Sequence, residues 1–274
     1  MKYIDFEYDG RRLSDFDSVL GSTDGGGINT VAFGNQIDIA TVDLPFMKKV
    51  KSVSSKYGEV LTATFDIFKN PCYGEKVYTQ DETNAIYRWL NRSDFKKFTP
   101  IYDDVNWGWV NYNATFNLSN IMVDNDIIGF ELQMTTDAPF GYRPDEHYEL
   151  KGVNTETKMY VSDTSVEVGY QYPTVDITCN AAGDLVFHNS ADADNDVIIK
   201  NCIAGEVLSF SGDSKNLKSN VAHATLYKDF NYKFPRIVNS IKMDGQDERT
   251  NAYTTSIDTD ISLTYSPICK ATIL

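Results

Sequence analysis

The chain has 274 residues, 42% of them hydrophobic and 13% aromatic, which is enough to build packed cores and excludes wholesale disorder. Its 25 Lys and Arg face 39 Asp and Glu, and the net charge of −14 argues against sequence-specific nucleic-acid recognition, because phosphate backbones are repelled. No apolar run reaches membrane-spanning length.

The opening Ile4, Phe6 and Tyr8 alternate with Asp5 and Glu7, the pattern of a half-buried strand that turns at Asp9-Gly10. The start reads as a strand rather than a signal peptide, so Cys72, Cys179, Cys202 and Cys269 are expected to be reduced and buried. Cys179 and Cys202 could pair across a sandwich in a secreted protein. The glycines of Thr23-Asp24-Gly25-Gly26-Gly27 lack the spacing of a phosphate-binding loop, and a turn is the simpler reading. Alternation returns from Gln36 to Leu44 until Pro45 stops it, and again from Val60 to Phe68 before Asn70-Pro71. Between them, Lys48-Lys49-Val50-Lys51 reads as a solvated loop or strand face.

The stretch from Thr79 to Leu90 breaks this β pattern. Thr79 and Glu82 have capping-box spacing, and Ala85, Ile86, Trp89 and Leu90 fall on one arc at helical period. Arg88 and Arg92 stand near the end where the helix dipole favours cations. A helix this short is marginal alone, so its stripe must rest on a sheet. Asp103 to Phe116, with Trp107 and Trp109, and Ile127 to Thr135 read as further strands.

Two prolines and a glycine between Thr136 and Pro144 mark a linker. The chain accordingly divides into 1–142, β-sheet with one helix over 80–91, and 143–274, a β-sandwich of short strands. Those strands are expected at Met159–Val161, Val166–Val168, Thr174–Thr178, Asp184–Asn189, Val197–Asn201, Glu206–Phe210, Lys233–Val238 and Ile261–Tyr265, with no helical period among them.

No catalytic, cofactor or metal set emerges. Asp192, Asp194 and Asp196 alternate as at the start of a calcium loop, but the glycine and bidentate Glu of that loop are missing, which favours a solvated hairpin tip. Asp124-Asn125-Asp126 reads the same way. His147, His188 and His223 have no nucleophile in a recognisable elbow. The sequons at Asn91, Asn113 and Asn117 read as coincidental. No carboxylate pair for glycoside hydrolysis can be identified from sequence.

Four collinear stretches resemble the distal tail proteins (Dit family) of long-tailed phages that infect Gram-positive bacteria. They are Phe6 to Phe16, the helix end Ile86 to Asn91 with Phe95 and Phe98, Asp137 to Tyr142, and a set in the second half. That last set comprises Tyr172 to Ile177, Ile203 to Glu206 and Phe230 to Ile237, and Leu263 to Pro267 closes the pattern. The resemblance implies a structural, non-enzymatic virion protein at the end of the tail. Its first domain would form a hexameric ring around a channel, and its second, a galectin-like β-sandwich, would project outward. The extreme C-terminus would pack back on the first domain. The implied partners are further copies of itself, the tail tube protein, a tail-tip or tail-lysin-like protein and a receptor-binding protein, with DNA passing through the ring. The competing expectation is a carbohydrate-binding module that reads host cell-wall glycan through the second-half sandwich.

Overall fold

A computed structural model describes residues 3–21, 37–44, 49–57, 60–74, 76–103, 110–192, 194–241 and 247–270. They form two compact units. The first runs to Arg143 and resumes at Cys269, and the second spans Pro144–Ile268. The protein is mainly β.

In the first unit the strands are β1 (Tyr3–Tyr8), β2 (Arg11–Arg12), β3 (Ser18–Gly21), β4 (Ile37–Val42), β5 (Lys51–Tyr57) and β6 (Thr62–Lys69). Helix α1 (Gln80–Leu90) follows, then β7 (Lys96–Tyr102), β8 (Tyr112–Val123) and β9 (Asp126–Thr136). Seven strands make one sheet in the order β2-β1-β7-β8-β9-β6-β3, and among the described residues β4 pairs only with β5. Every pairing in the large sheet is antiparallel. Phe6, Tyr8, Phe98, Phe116, Phe130 and Leu132 alternate inward to form its buried face.

Helix α1 lies against that face. Thr79 caps it, accepting from the Glu82 N–H at 3.3 Å, while the Thr79 N–H donates to the Glu82 carboxylate at 2.7 Å. Thr83, Ile86, Trp89 and Leu90 are buried. Ala85, expected on the buried arc, is exposed, because the face is centred on the Thr83–Ile86–Leu90 line. Trp89 is fixed from several sides. Its indole N–H donates to the Tyr8 carbonyl at 2.7 Å. Phe16 stacks on it at 4.4 Å and Phe6 at 5.6 Å, both nearly parallel. The Arg11 guanidinium lies 4.7 Å from the Phe16 ring.

Trp107 and Trp109 lie outside the described residues, as do Lys48 and the triple glycine at 25–27. The strand expected from Asp103 is described only from Tyr112, where it continues to Val123. Asp124, at positive φ, turns the chain into β9.

The second unit contains β11 (Glu146–Val153), after β10 (Gly141–Tyr142) at the end of the first. Next come β12 (Met159–Ser162), β13 (Gly169–Gln171), β14 (Thr174–Cys179), β15 (Gly183–Asn189), β16 (Val197–Cys202), β17 (Val207–Ser211) and β18 (Asn216–Ser219). A short helix, α2 (Leu226–Asp229), precedes β19 (Ile237–Ile241), β20 (Asp247–Glu248), β21 (Thr250–Thr255) and β22 (Thr259–Tyr265). Sheets of order β11-β22-β14-β17-β18 and β12-β21-β15-β16 enclose a core that includes Val175, Ile177, Leu185, Phe187, Phe210, Tyr253 and Leu263. Three expectations are corrected here. Val166–Val168 is not a strand. The segment from Lys233 becomes one only at Ile237, after Pro235, which has no N–H to give a ladder. Helix α2, one turn long and with no buried residue, is too short to show a period.

Two outcomes follow. Trp89→Ala removes a buried ring and leaves a cavity, so it should cost about 3–5 kcal/mol in chemical denaturation. A loss below 1 kcal/mol would mean the helix is not anchored there. The second concerns acid. Burial raises the Glu82 carboxyl, but the Thr79 N–H, the Lys69 ammonium at 2.9 Å and the Thr79 hydroxyl together hold it below the usual range. A depressed folded pKa contributes stability that is present above the unfolded value of about 4.3 and is lost as pH falls through the folded one. Glu82→Gln should therefore destabilise at pH 7 and flatten part of the acid loss, measured by urea unfolding on either side of that range. An unchanged acid limb would contradict this.

Candidate assembly surface

The β4–β5 ribbon is the most exposed apolar element among the described residues. Alternation in its sequence resembles that of a half-buried strand, yet every residue of β4 is exposed, and every residue of β5 as far as Lys56. Ile39 is 60% exposed and Val53 66%. Ile37, Val42 and Val50 are also open to solvent. The register runs Ala40↔Ser54 and then Thr41↔Ser52, so Val53 is the extra residue of a β-bulge. At the ribbon's foot the Tyr57 ring meets Phe140 edge-on at 6.1 Å, and the Lys270 ammonium lies 5.4 Å from it.

A two-stranded ribbon is marginally stable alone in water. Among the described residues its outer edges pair with no further strand, and its apolar side chains are open to solvent. That combination suits a surface completed by another chain. The sequence shows the alternation but not the missing partner, so the ribbon could not be told from a core strand.

The polar clusters are tied up within the fold. Asp192 accepts two hydrogen bonds from the Arg236 guanidinium, both at 2.7 Å, and Asp196 lies 2.7 Å from His188 Nδ1. Asp192 thus serves as an ion-pair partner and Asp196 as a partner of an imidazole, while Asp194 contributes its carbonyl, which accepts from Lys233. His147 contacts Thr264 and Glu149. His223 lies between Glu206 and Asp229. Asn91 and Asn113 spend their amides on the Phe116 carbonyl and Asp137. Sequence reading missed the pairing of Glu206, His223 and Asp229, because the three are separated by turns whose geometry it cannot supply.

A groove of about 390 Å³ opens over the five-stranded sheet, lined by Glu149, Lys151, Asp176, Thr178 and Asp260 among others. Asp260 is held below the carboxylate range by hydrogen bonds from the Asn180 amide and the Gly152 N–H. Both bonds fix its orientation.

Because the ribbon's apolar side chains already face water, Ile39→Lys with Val53→Lys should leave thermal unfolding within about 0.5 kcal/mol of the parent. A large drop in Tm would mean these side chains are core.

The comparisons with known proteins agree with this architecture. A family model described as a phage tail protein N-terminal domain matches residues 1–138, and one described as a phage tail C-terminal domain matches residues 140–265. No curated protein sequence matches. Among solved structures, the chain is similar to the Dit protein (gp 19.1) of SPP1, described as a paradigm of the hub adsorption apparatus in Gram-positive infecting phages. The two share 10% identity with a TM-score of 0.64, over 97% of this chain and 99% of that one. The likeness to distal tail proteins read from the sequence therefore holds in the fold, and the chain belongs to the family of phage tail proteins that the two models describe.

Proposed function

We propose that this phage tail protein is the distal hub of its tail, a structural component that assembles as a homo-hexameric ring. The ring joins the tail tube protein to a tail-tip or tail-lysin-like protein and to a receptor-binding protein. The observation that carries the reading is the end-to-end likeness in fold to a hub protein, covering nearly all of both chains. The exposed β4–β5 ribbon supports it by supplying an apolar, edge-bearing arm, and a neighbouring copy of the chain is its occupant.

The charge suits the role. Six chains at −14 each create a strongly negative field, and an acidic channel would let DNA pass without adhering. No chemical step is assigned to the protein. A second reading, contact with cell-wall glycan by the outer sandwich, draws on the exposed rings of Tyr170 and Tyr232, since sugars stack on accessible aromatic faces.

Size exclusion with light scattering tests the ring. The parent chain should elute as a discrete hexamer, and the Ile39→Lys, Val53→Lys variant, still folded, should shift toward monomer. A strictly monomeric parent at high concentration would overturn the proposal. A variant that remains hexameric would remove the ribbon from the interface.

A further inference from the structure

The second unit buries a charged group that its packing does not require. His223 and Glu206 have side chains only 6% and 1% exposed, and Asp229 13%. The Nδ1 of His223 is 2.8 Å from Glu206 Oε1, and its Nε2 is 3.2 Å from Asp229 Oδ2. A neutral imidazole carries one N–H, so it can donate to one carboxylate only and must turn a lone pair on the other. With both carboxylates ionised, these contacts call for the doubly protonated ring.

The carboxylates are themselves held in place. Glu206 accepts from the Ser219 hydroxyl at 2.7 Å and the Ile203 N–H at 3.1 Å. Asp229 accepts from the Asn201 amide at 3.1 Å and from the Thr225 hydroxyl. The groups that face the ring come from the entry to β17 (Glu206), the end of β18 (Ser219), α2 and its cap (Asp229, Thr225) and the end of β16 (Cys202). What this network holds down is the surface stretch 220–229, since Phe230, which follows it, is buried in the core and bridges Ile199. Helix α2 buries none of its residues, while Tyr227 and Tyr232 are largely exposed and joined by a bond from the Tyr232 hydroxyl to the Tyr227 carbonyl.

We propose that Glu206, His223 and Asp229 form a pH-sensitive latch, carboxylate–imidazolium–carboxylate, that fastens the segment 220–229 to the sandwich and releases it when the imidazolium loses its proton. The sign follows from the direction of each shift. Desolvation lowers the His223 pKa, but the bonds to Glu206 and Asp229 outweigh it and raise the value above 6.5. The latch is thus complete below the unfolded histidine value and lost as pH rises through the folded one. Glu206 and Asp229 are held below their usual range, so on the acid side the latch fails only when those carboxylates protonate.

The test is imidazole NMR of the full chain, with His147 and His188 as internal references, each of which contacts a single carboxylate. At pH 7, His223 should show both ring nitrogens protonated. Amide exchange in 220–229, corrected for the intrinsic pH effect and referenced to core strands, should accelerate across its titration. The gain should be about tenfold per unit separating the folded and unfolded pKa. His223→Gln should abolish the step. A single neutral tautomer at pH 7 would overturn the proposal, as would segment exchange that ignores the titration; the parent measurements decide the matter even if the variant does not fold.

Discussion

The first unit depends on one buried indole. Trp89 donates its N–H to the Tyr8 carbonyl while its ring packs against Phe6 and Phe16. Helix and sheet are therefore joined by a directional bond and by stacking at the same residue. Sliding the helix by one turn would break the bond, orphan a buried donor and part the rings. Around this point Phe6, Phe65, Phe98 and Phe116 lie within 5.4–6.3 Å of one another. Aromatic area gives this core its stability, and the indole bond gives it register.

The second unit adds buried polar groups to its apolar core. Asn251, fully buried, accepts from the Val238 N–H at 2.8 Å and donates to the Val238 carbonyl at 3.0 Å, so its amide behaves like a strand partner to β19. Asn189 adds a bond to the same amide, and the Tyr253 hydroxyl donates to the Arg236 carbonyl. Such networks are costly when half satisfied and specifying when complete. The Glu206–His223–Asp229 group follows the same logic with charges in place of amides. It differs in one respect, since a single proton decides whether all its contacts can be made.

Much of this was legible in the sequence where a local rule was strong. The capping box and the Ile86–Trp89–Leu90 arc placed α1 to within a residue, and alternation located most strands. Reading failed where period or partner was absent. One turn of α2 has no detectable periodicity, and Pro235 shortened an expected strand by denying it a donor. Ala85 showed that an arc read from spacing can be rotated toward a small polar residue, Thr83, which is buried although its hydroxyl has no hydrogen-bond partner among the described residues. The ribbon was the most instructive case. Ile37 and Ile39 alternate as core residues do, yet both are exposed, and alternation alone carries no information about what, if anything, covers a strand. The likeness to distal tail proteins came from residues in collinear order, and the fold upholds it. The charge latch left no trace in the sequence, since nothing in the spacing of positions 206, 223 and 229 indicates contact.

The proposed ring closes through the first unit of the chain. Negative-stain electron microscopy of the purified full-length protein addresses it directly. The account predicts class averages with six-fold symmetry and a central hole. Compact single particles without a hole, at concentrations well above those of assembly in a cell, would contradict it.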